Sequence, residues 1–326
     1  MRKKNKNFVS YILTLYNKKN YLTSVVKALA KEGGFHQREY IFIDDGSNDS
    51  SLFILNKLKK KLPGETKIIS QRNMGASYST NRAVKNAKGY WLRLLDADDT
   101  IVYKSTSDML SLARKTKVDF VYGLIHKEKS DNEIKINRNY KIQSKNEGLE
   151  KFIKNCPGNS SCIFVSKSRY LSSGGCDNRF VSPDQVLFLR LFKSGRGVFL
   201  NRNVARMPKD LNKSLSSQVR RSRYESILAL IRLCEESDDI EMKLKKKAFK
   251  RSLSRANTYN KFLNKKYFSY IFFLYLISKL YFPKNYIVWM YRSLEVFTEK
   301  SGKKPRDWFT GFDKKKKIYK KYVNLK

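Results

Sequence analysis

The sequence predicts an α/β protein: a Rossmann-like, doubly wound, mostly parallel sheet followed by a basic, mostly helical C-terminal region. Three observations carry this. Apolar runs of strand length alternate with helical-period segments through the first hundred residues. Three of those strand runs end in polar or acidic residues. From Arg220 onward the chain reads as helical and heavily basic.

The first strand is expected at Phe8 to Leu15, a β-branched and aromatic run that stops at Asn17-Lys18-Lys19-Asn20. Leu22, Val25, Val26 and Leu29 then recur at helical spacing, and Gly33-Gly34 closes the segment. A second strand, Tyr40 to Ile43, ends at Asp44-Asp45-Gly46-Ser47-Asn48-Asp49, a cluster of turn and cap residues ahead of a helix from Leu52 to Leu62. Lys67-Ile68-Ile69 predicts a short strand, Ala76 to Ala87 a helix ended by Gly89, and Tyr90 to Leu95 a fourth strand. Strand and helix in alternation predict right-handed crossovers and a ligand crevice outside the carboxyl ends of the strands. Tyr16-Asn17, Asp44-Asp45 and Asp96-Ala97-Asp98-Asp99 stand at those ends. Beyond Asp99 the pattern loosens to about residue 217, with a Gly174-Gly175 turn and a helix over Gln185 to Lys193. The expected domains are therefore 1–217, the α/β unit that carries the crevice, and 218–326, basic and helical.

The 326 residues are 41% hydrophobic and 13% aromatic, enough for a core and against a disordered chain. A formal net charge of +40 favours anionic partners, although the richness in Lys, Asn and Ile equally suits a composition bias unrelated to binding. Four cysteines without a CxxC pair are read as reduced and incidental. His36 and His126 are the only histidines, which argues against Ser-His-Asp or Cys-His catalysis and moves acid–base work onto carboxylates. Residues 1–7 lack a signal-peptide pattern, so a cytoplasmic location is expected.

Asp96 and Asp98 lie two residues apart at a strand end, so their side chains project the same way and suit a hard cation shared with a diphosphate. Oxygen ligands alone select Mg²⁺ or Mn²⁺. Taken alone, such a turn reads more readily as a solvated acidic loop than as a metal site.

The order of motifs resembles family 2 glycosyltransferases of the GT-A fold. It runs from Val9 to Asn17, through Ile43-Asp44-Asp45-Gly46-Ser47, Asn73-Met74-Gly75-Ala76, Asn81 and Ala87-Lys88-Gly89-Tyr90, to Leu95-Asp96-Ala97-Asp98-Asp99. The resemblance implies an inverting transfer from a nucleotide-sugar donor. Tyr16 and Asp44 would contact the base with Asp45 close by, Asp96 would lie near the ribose, and Asp98 would ligate Mn²⁺ or Mg²⁺ at the donor diphosphate. Arg72 is either a further donor contact or a surface arginine. A weaker match from Gly174-Gly175-Cys176-Asp177 through Phe188-Leu189-Arg190 implies that Asp184 is the catalytic base; the alternative is a helix N-cap. The chain departs from the family at Thr14-Leu15, where Pro-Thr is usual, at Pro183 in place of Glu, and at Arg206 to Ser214, where an expected histidine is missing and Asp210 is a candidate substitute.

Tyr270 to Ile277 is apolar all round, which predicts burial in protein or in the interface of an anionic membrane, and it is too short to span a bilayer. The polybasic stretch Lys314 to Lys326 is either a membrane-attracted or a solvated tail. Expected partners are a nucleotide-sugar and a glycan or lipid-linked acceptor of the cell envelope, with a peripheral position on the inner membrane face. No nucleic-acid motif accompanies the charge, so nucleic acid is not expected. The rival readings are a basic nucleic-acid-binding protein, a nucleotidyltransferase and a catalytically inactive scaffold of the same fold.

Overall fold

Strands with apolar side chains on both faces need cover on both sides of the sheet, and here they form its middle. A computed structural model of the chain describes residues 5–127, 137–208, 219–264 and 269–297. Strands β1 (Phe8–Leu15), β2 (Gln37–Asp44), β3 (Glu65–Ser70) and β4 (Trp91–Asp96) run parallel in the order β3-β2-β1-β4. They are joined by α1 (Leu22–Ala30), α2 (Ser51–Leu58) and α3 (Ala76–Asn86). Helix α1 buries Leu22, Val25, Val26 and Leu29, the stripe its spacing predicts. Helix α2 ends four residues earlier than expected. Lys59–Lys61 tightens into a 3₁₀ turn, since three successive lysines offer no apolar residue to continue the buried stripe before Leu62.

Beyond β4 come β5 (Thr100–Ile101), α4 (Ser105–Thr116), β6 (Phe120–Lys127), β7 (Tyr140–Gln143), α5 (Lys145–Lys154), β8 (Ile163–Ser166), α6 (Lys167–Ser172), α7 (Asp184–Lys193) and β9 (Gly197–Met207). The sheet continues as β4-β8-β6-β9-β5, and β7 also pairs with β9. Strand β8 is antiparallel to both of its neighbours. Its amino end therefore lies at the carboxyl end of β4, which carries residues 159–162 to the acidic turn. The fold class predicted from the sequence is the one observed, with antiparallel pairs added in its second half.

Arg93 locks this junction. Its side chain is fully buried; Nη1 donates to the carbonyls of Leu94 (2.9 Å), Ser161 (2.6 Å) and Ile163 (3.3 Å), and Nη2 to that of Val204 (3.0 Å). A buried guanidinium is tolerated where carbonyls take the place of its lost hydration.

The chain divides into two compact units, Met1–Gly148 with Cys156–Leu211, and Leu149–Asn155 with Asn212–Lys326. The predicted boundary at 217 falls in the undescribed stretch 209–218, and the second half of α5 groups with the C-terminal unit. That unit contains α8 (Val219–Glu235), α9 (Met242–Asn264), α10 (Tyr270–Leu280) and α11 (Tyr286–Arg292). Its core includes Phe249, whose ring lies 5.4 Å from that of Phe282, and Tyr259, stacked on Phe297 at 4.5 Å. Asp210, Tyr267, Phe268 and Lys314 to Lys326 lie outside the described residues.

One buried acid makes the stability of the first unit depend on pH. Glu32, just after α1, accepts a hydrogen bond from the Thr106 backbone N–H (3.0 Å), and burial pushes its carboxyl up to about 7. Unfolded, the group ionises near its ordinary value. Between that value and about 7 the folded state holds the proton that the unfolded state releases, so stability falls as pH rises and then levels off above 7. Relative to Glu32→Gln, the wild-type protein is expected to lose up to about 3 kcal/mol between pH 4.5 and 7.5 in urea titrations. Parallel stability curves for the two proteins would refute this.

Candidate active site

The ends of β1, β2 and β4 are brought side by side by the parallel register, in which Leu15 faces Asp44 and Thr14 faces Asp96. Two short loops are then clipped together: the Asn17 N–H donates to Ser47 Oγ (3.0 Å), and the Asn48 N–H to Asn17 Oδ1 (2.8 Å). Tyr16, at the end of β1, is 43% exposed. Asp44 is buried and accepts the Ser47 N–H at 3.2 Å, a turn-closing bond.

Asp45 serves the opposite side. Its Oδ1 accepts from Gln71 Nε2 (2.7 Å) and the Met74 N–H (2.8 Å), and its Oδ2 from the Gly75 N–H (2.8 Å). Both oxygens are thus engaged in holding the loop that enters α3. Gly46 allows that approach: its φ is +78°, and a Cβ there would stand 3.0 Å from the Asn73 backbone nitrogen. Arg72 lies exposed in the same loop.

Four carboxylates gather at the end of β4. Asp96, Asp98 and Asp99 come from the turn itself. Asp184, the first residue of α7, reaches it from far along the chain, with Oδ1 accepting from the Ser160 N–H (2.9 Å) and the Ser160 hydroxyl (2.8 Å). The N-cap of α7 is Pro183, so the Asp184 side chain does not cap the helix but turns toward the 159–161 segment. Asn159 Nδ2 donates to Asp99 Oδ2 (2.7 Å), and the Asp96 N–H donates to Ser161 Oγ (2.9 Å).

Crowding and desolvation raise these acids. Burial, joined by the charges of Asp99, Asp184 and Asp98, pushes the Asp96 carboxyl well above the usual carboxylate range, and Lys18 pulls it the other way. Burial and Asp98 push Asp99 up to about 7, against hydrogen bonds from Ser161 and Asn159. Burial also raises Asp184, opposed by its two bonds from Ser160. The ammonium of Lys18 is ion-paired with Asp98 Oδ2. Such a cluster gains from any added cation.

The segment that delivers Asp184 is itself pinned. Asn81 on α3 donates to the Cys176 carbonyl (2.8 Å) and to Asn178 (2.9 Å). Arg190 on α7 donates to the carbonyls of Gly174 and Gly175 and pairs with Asp177 at 3.0 Å. Ser77 Oγ donates to the Phe180 carbonyl at 2.6 Å.

The structure therefore gathers Asp96, Asp98 and Asp184 in one place, sets Asp44 and Tyr16 beside them at the neighbouring strand ends, gives Asp45 to the α3 loop and leaves Arg72 exposed. Sequence reasoning missed Lys18, Asn159, Ser160 and Ser161. Only the turn-rich stretch Asn155 to Ser161, with its Pro and Gly, hinted at a loop there.

Residues 10–172, half of the chain, match the model of the family described as Glycosyl transferase family 2. The chain belongs to glycosyl transferase family 2. Among its relatives, the Escherichia coli protein WfaP, described as UDP-Glc:alpha-D-GlcNAc-diphosphoundecaprenol beta-1,3-glucosyltransferase, is 32% identical over 124 residues, 37% of this chain and 47% of that protein. The matched segment spans less than half the length of the curated relatives it matches. The fold is shared with Staphylococcus aureus TarS 1-349, solved in complex with UDP-GlcNAc, at TM-score 0.63 and 18% identity over 92% of this chain and 83% of that one. It is also shared with the mannosyltransferase PcManGT of Pyrobaculum calidifontis, solved with GDP-Man and Mn²⁺, at TM-score 0.58 and 10% identity over 93% and 83% of the two chains.

In this family 2 chain the Asp45 clip is expected to be structural. Asp45→Ala strips acceptors from three donors and should cost about 3 kcal/mol in denaturant unfolding, the scale of several lost charge-assisted bonds. A change under about 0.5 kcal/mol would contradict the assignment.

Proposed function

We propose that the protein is an inverting glycosyltransferase that moves a sugar from a nucleoside-diphosphate donor to a hydroxyl of a glycan or lipid-linked acceptor, in synthesis of a cell-envelope polysaccharide. The observation that carries this reading is the convergence of Asp184 on the acidic turn of β4, with a hydroxyl and an amide holding one of its oxygens. The names of the relatives support the substrate classes: WfaP is described as acting on a diphosphoundecaprenol-linked acceptor, and TarS was solved with UDP-GlcNAc.

In this reading Tyr16 and Asp44 bind the base and Asp96 lies near the ribose. Asp45 positions the loop that closes that side, and exposed Arg72 contributes charge to the donor. Asp98 would hold Mn²⁺ or Mg²⁺ together with the donor diphosphate. The residues fit such an ion. Among the described residues no group of three or more His, Cys, Asp or Glu is arranged to hold a metal unaided, and Mg²⁺-type sites rely on one or two carboxylates plus substrate phosphates. When bound, the cation offsets the charge that builds on the departing diphosphate. The presence of Mn²⁺ with GDP-Man in PcManGT supports the choice of metal.

Asp184 acts as the base. Its carboxylate takes the proton of the acceptor hydroxyl as that oxygen bonds to the anomeric carbon; the bond from that carbon to the diphosphate breaks and its electron pair leaves with the nucleotide. Burial raises Asp184, which makes it a better proton acceptor than an exposed aspartate.

Asp184→Asn should lower nucleotide release from the best donor at least about 100-fold while leaving nucleoside diphosphate affinity within about threefold, the split expected of a general base. Asp98→Ala should lose both turnover and Mn²⁺-dependent thermal protection by the nucleotide. A screen of nucleotide-sugars that finds undiminished turnover in either variant refutes the assignment.

The same reading includes an anionic membrane surface beside the C-terminal unit. Helix α10 buries Ile271, Leu274 and Ser278 but exposes Phe273, Leu276, Ile277 and Leu280, the last at 95%, with the exposed lysines Lys279 and Lys284 nearby. An apolar face edged by cations suits an anionic interface. No helix among the described residues is long and apolar enough to cross a membrane. The protein should sediment with phosphatidylglycerol vesicles at 0.15 M salt and not with phosphatidylcholine alone, and Phe273→Asp with Leu280→Asp should abolish this. Equal binding to both lipids, or none, counts against the surface.

A further inference from the structure

One ammonium faces the acidic cluster from the end of β1. Lys18 Nζ is ion-paired with Oδ2 of Asp98, and the two side chains are 22% and 16% exposed. Its backbone cannot drift: the Lys18 N–H donates to Ser51 Oγ (2.7 Å), and the preceding residue, Asn17, sits at φ 54° with both its N–H and its Oδ1 bonded into the β2 loop. What remains adjustable is the four-carbon stem and the three rotatable donors at its tip.

The oxygen that Lys18 holds belongs to Asp98, the proposed metal ligand, and the role inferred for Lys18 rests on that reading. A divalent ion that takes Oδ2 competes there with the ammonium, since like charges at contact distance repel. An incoming metal therefore displaces the ammonium. A diphosphate bound with the metal would offer the displaced ammonium new acceptor oxygens, and charge-assisted bonds to phosphate are strong.

We propose that Lys18 is an exchange cation: it neutralises Asp98 while the site lacks nucleotide, yields that carboxylate to the metal, and transfers its hydrogen bonds to the donor diphosphate. It is thus a positioning and donor-binding residue. Metal alone has to compete with Lys18. Metal arriving with nucleotide does not, because the displaced ammonium gains a partner. Mn²⁺ and nucleoside diphosphate consequently favour each other's binding, and by linkage the effect is the same in both directions.

The test reads binding without turnover. Free Mn²⁺ is measured by electron paramagnetic resonance in titrations of the full chain, alone and with UDP or GDP, for wild type, Lys18→Met, Lys18→Arg and Asp98→Ala, each first checked for an unchanged circular dichroism spectrum. Wild type should bind Mn²⁺ at least about 10-fold more tightly with nucleotide than without, within the range usual for coupled sites. Lys18→Met should bind Mn²⁺ alone about fivefold more tightly than wild type, and bind nucleotide at saturating Mn²⁺ about 10-fold more weakly, so that the coupling shrinks. Lys18→Arg, which keeps the charge, should restore the coupling in part. A residue with only a structural role would weaken both affinities together, and that result overturns the proposal. So does a Lys18→Met protein with both affinities unchanged while Asp98→Ala loses Mn²⁺, and in that case the metal reading survives. If Asp98→Ala binds Mn²⁺ as wild type does, the metal reading fails and the exchange role of Lys18 falls with it.

Discussion

Four carboxylates converge where β4 ends, and their repulsion in a partly desolvated place is the constraint to which the surrounding structure answers. Asp96 and Asp99 are raised by burial and by their neighbours, Asp184 by burial alone. Three of the four are nevertheless given partners: Asn159 for Asp99, Ser160 for Asp184, the Lys18 ammonium for Asp98. A packed interior without a role for charge would replace such a group with apolar side chains, which are at least as stable. Strained electrostatics are retained where the charge has a use, and a crevice at the carboxyl ends of strands is where an α/β sheet offers one.

The Asn159 and Ser160 partners depend on the antiparallel insertion of β8. A parallel strand next to β4 would begin at the far end of the sheet and leave the acidic turn facing a strand terminus with no preceding loop. Because β8 runs the other way, the segment before it passes directly over Asp96 to Asp99. Arg93 makes that arrangement rigid, since one guanidinium joins β4 to the carbonyls of Ser161, Ile163 and Val204. The charge that binds the junction is fully buried, and Asp99 is among the acids that favour its ionised form. Architecture and electrostatics are here the same contacts.

Much of this was legible in the sequence because it is local. Apolar runs, helical spacing and turn residues placed β1 and its successors to within a few residues, and the same turn chemistry marked Asp44, Asp45 and the Asp96 to Asp99 turn at strand ends. The second half resisted. Strand β8 is four residues long with no alternation, and its direction depends on partners distant in sequence. Lys18 reads as one of many lysines in a polar turn; only the fold sets it against Asp98. Arg93 was discoverable, as a single charge inside the run Trp91 to Leu95, a position that forces either an edge strand or a buried hydrogen-bonding role. Helix α10 was legible as apolar, but its division into a face that packs and a face that does not is a property of its neighbours.

Asp184 shows how far such dependence extends. Pro183 replaces the glutamate that the family resemblance leads one to expect, yet the proline sits as the N-cap of α7 and leaves Asp184 at the first helical position. There the bonds from the Ser160 hydroxyl and backbone N–H favour the ionised form while burial favours the neutral one. Both described hydrogen bonds fall on Oδ1, which fixes the carboxylate plane and makes Oδ2 the oxygen that would receive a proton. The plane is right only if α7 starts where it does, and its start is set by Arg190 gripping the Gly174-Gly175 turn and by Asn81 and Ser77 gripping the loop from α3. The proposed base is therefore aimed by side chains on two helices, none of which need touch a substrate, and the missing glutamate removes a neighbour without removing the aim.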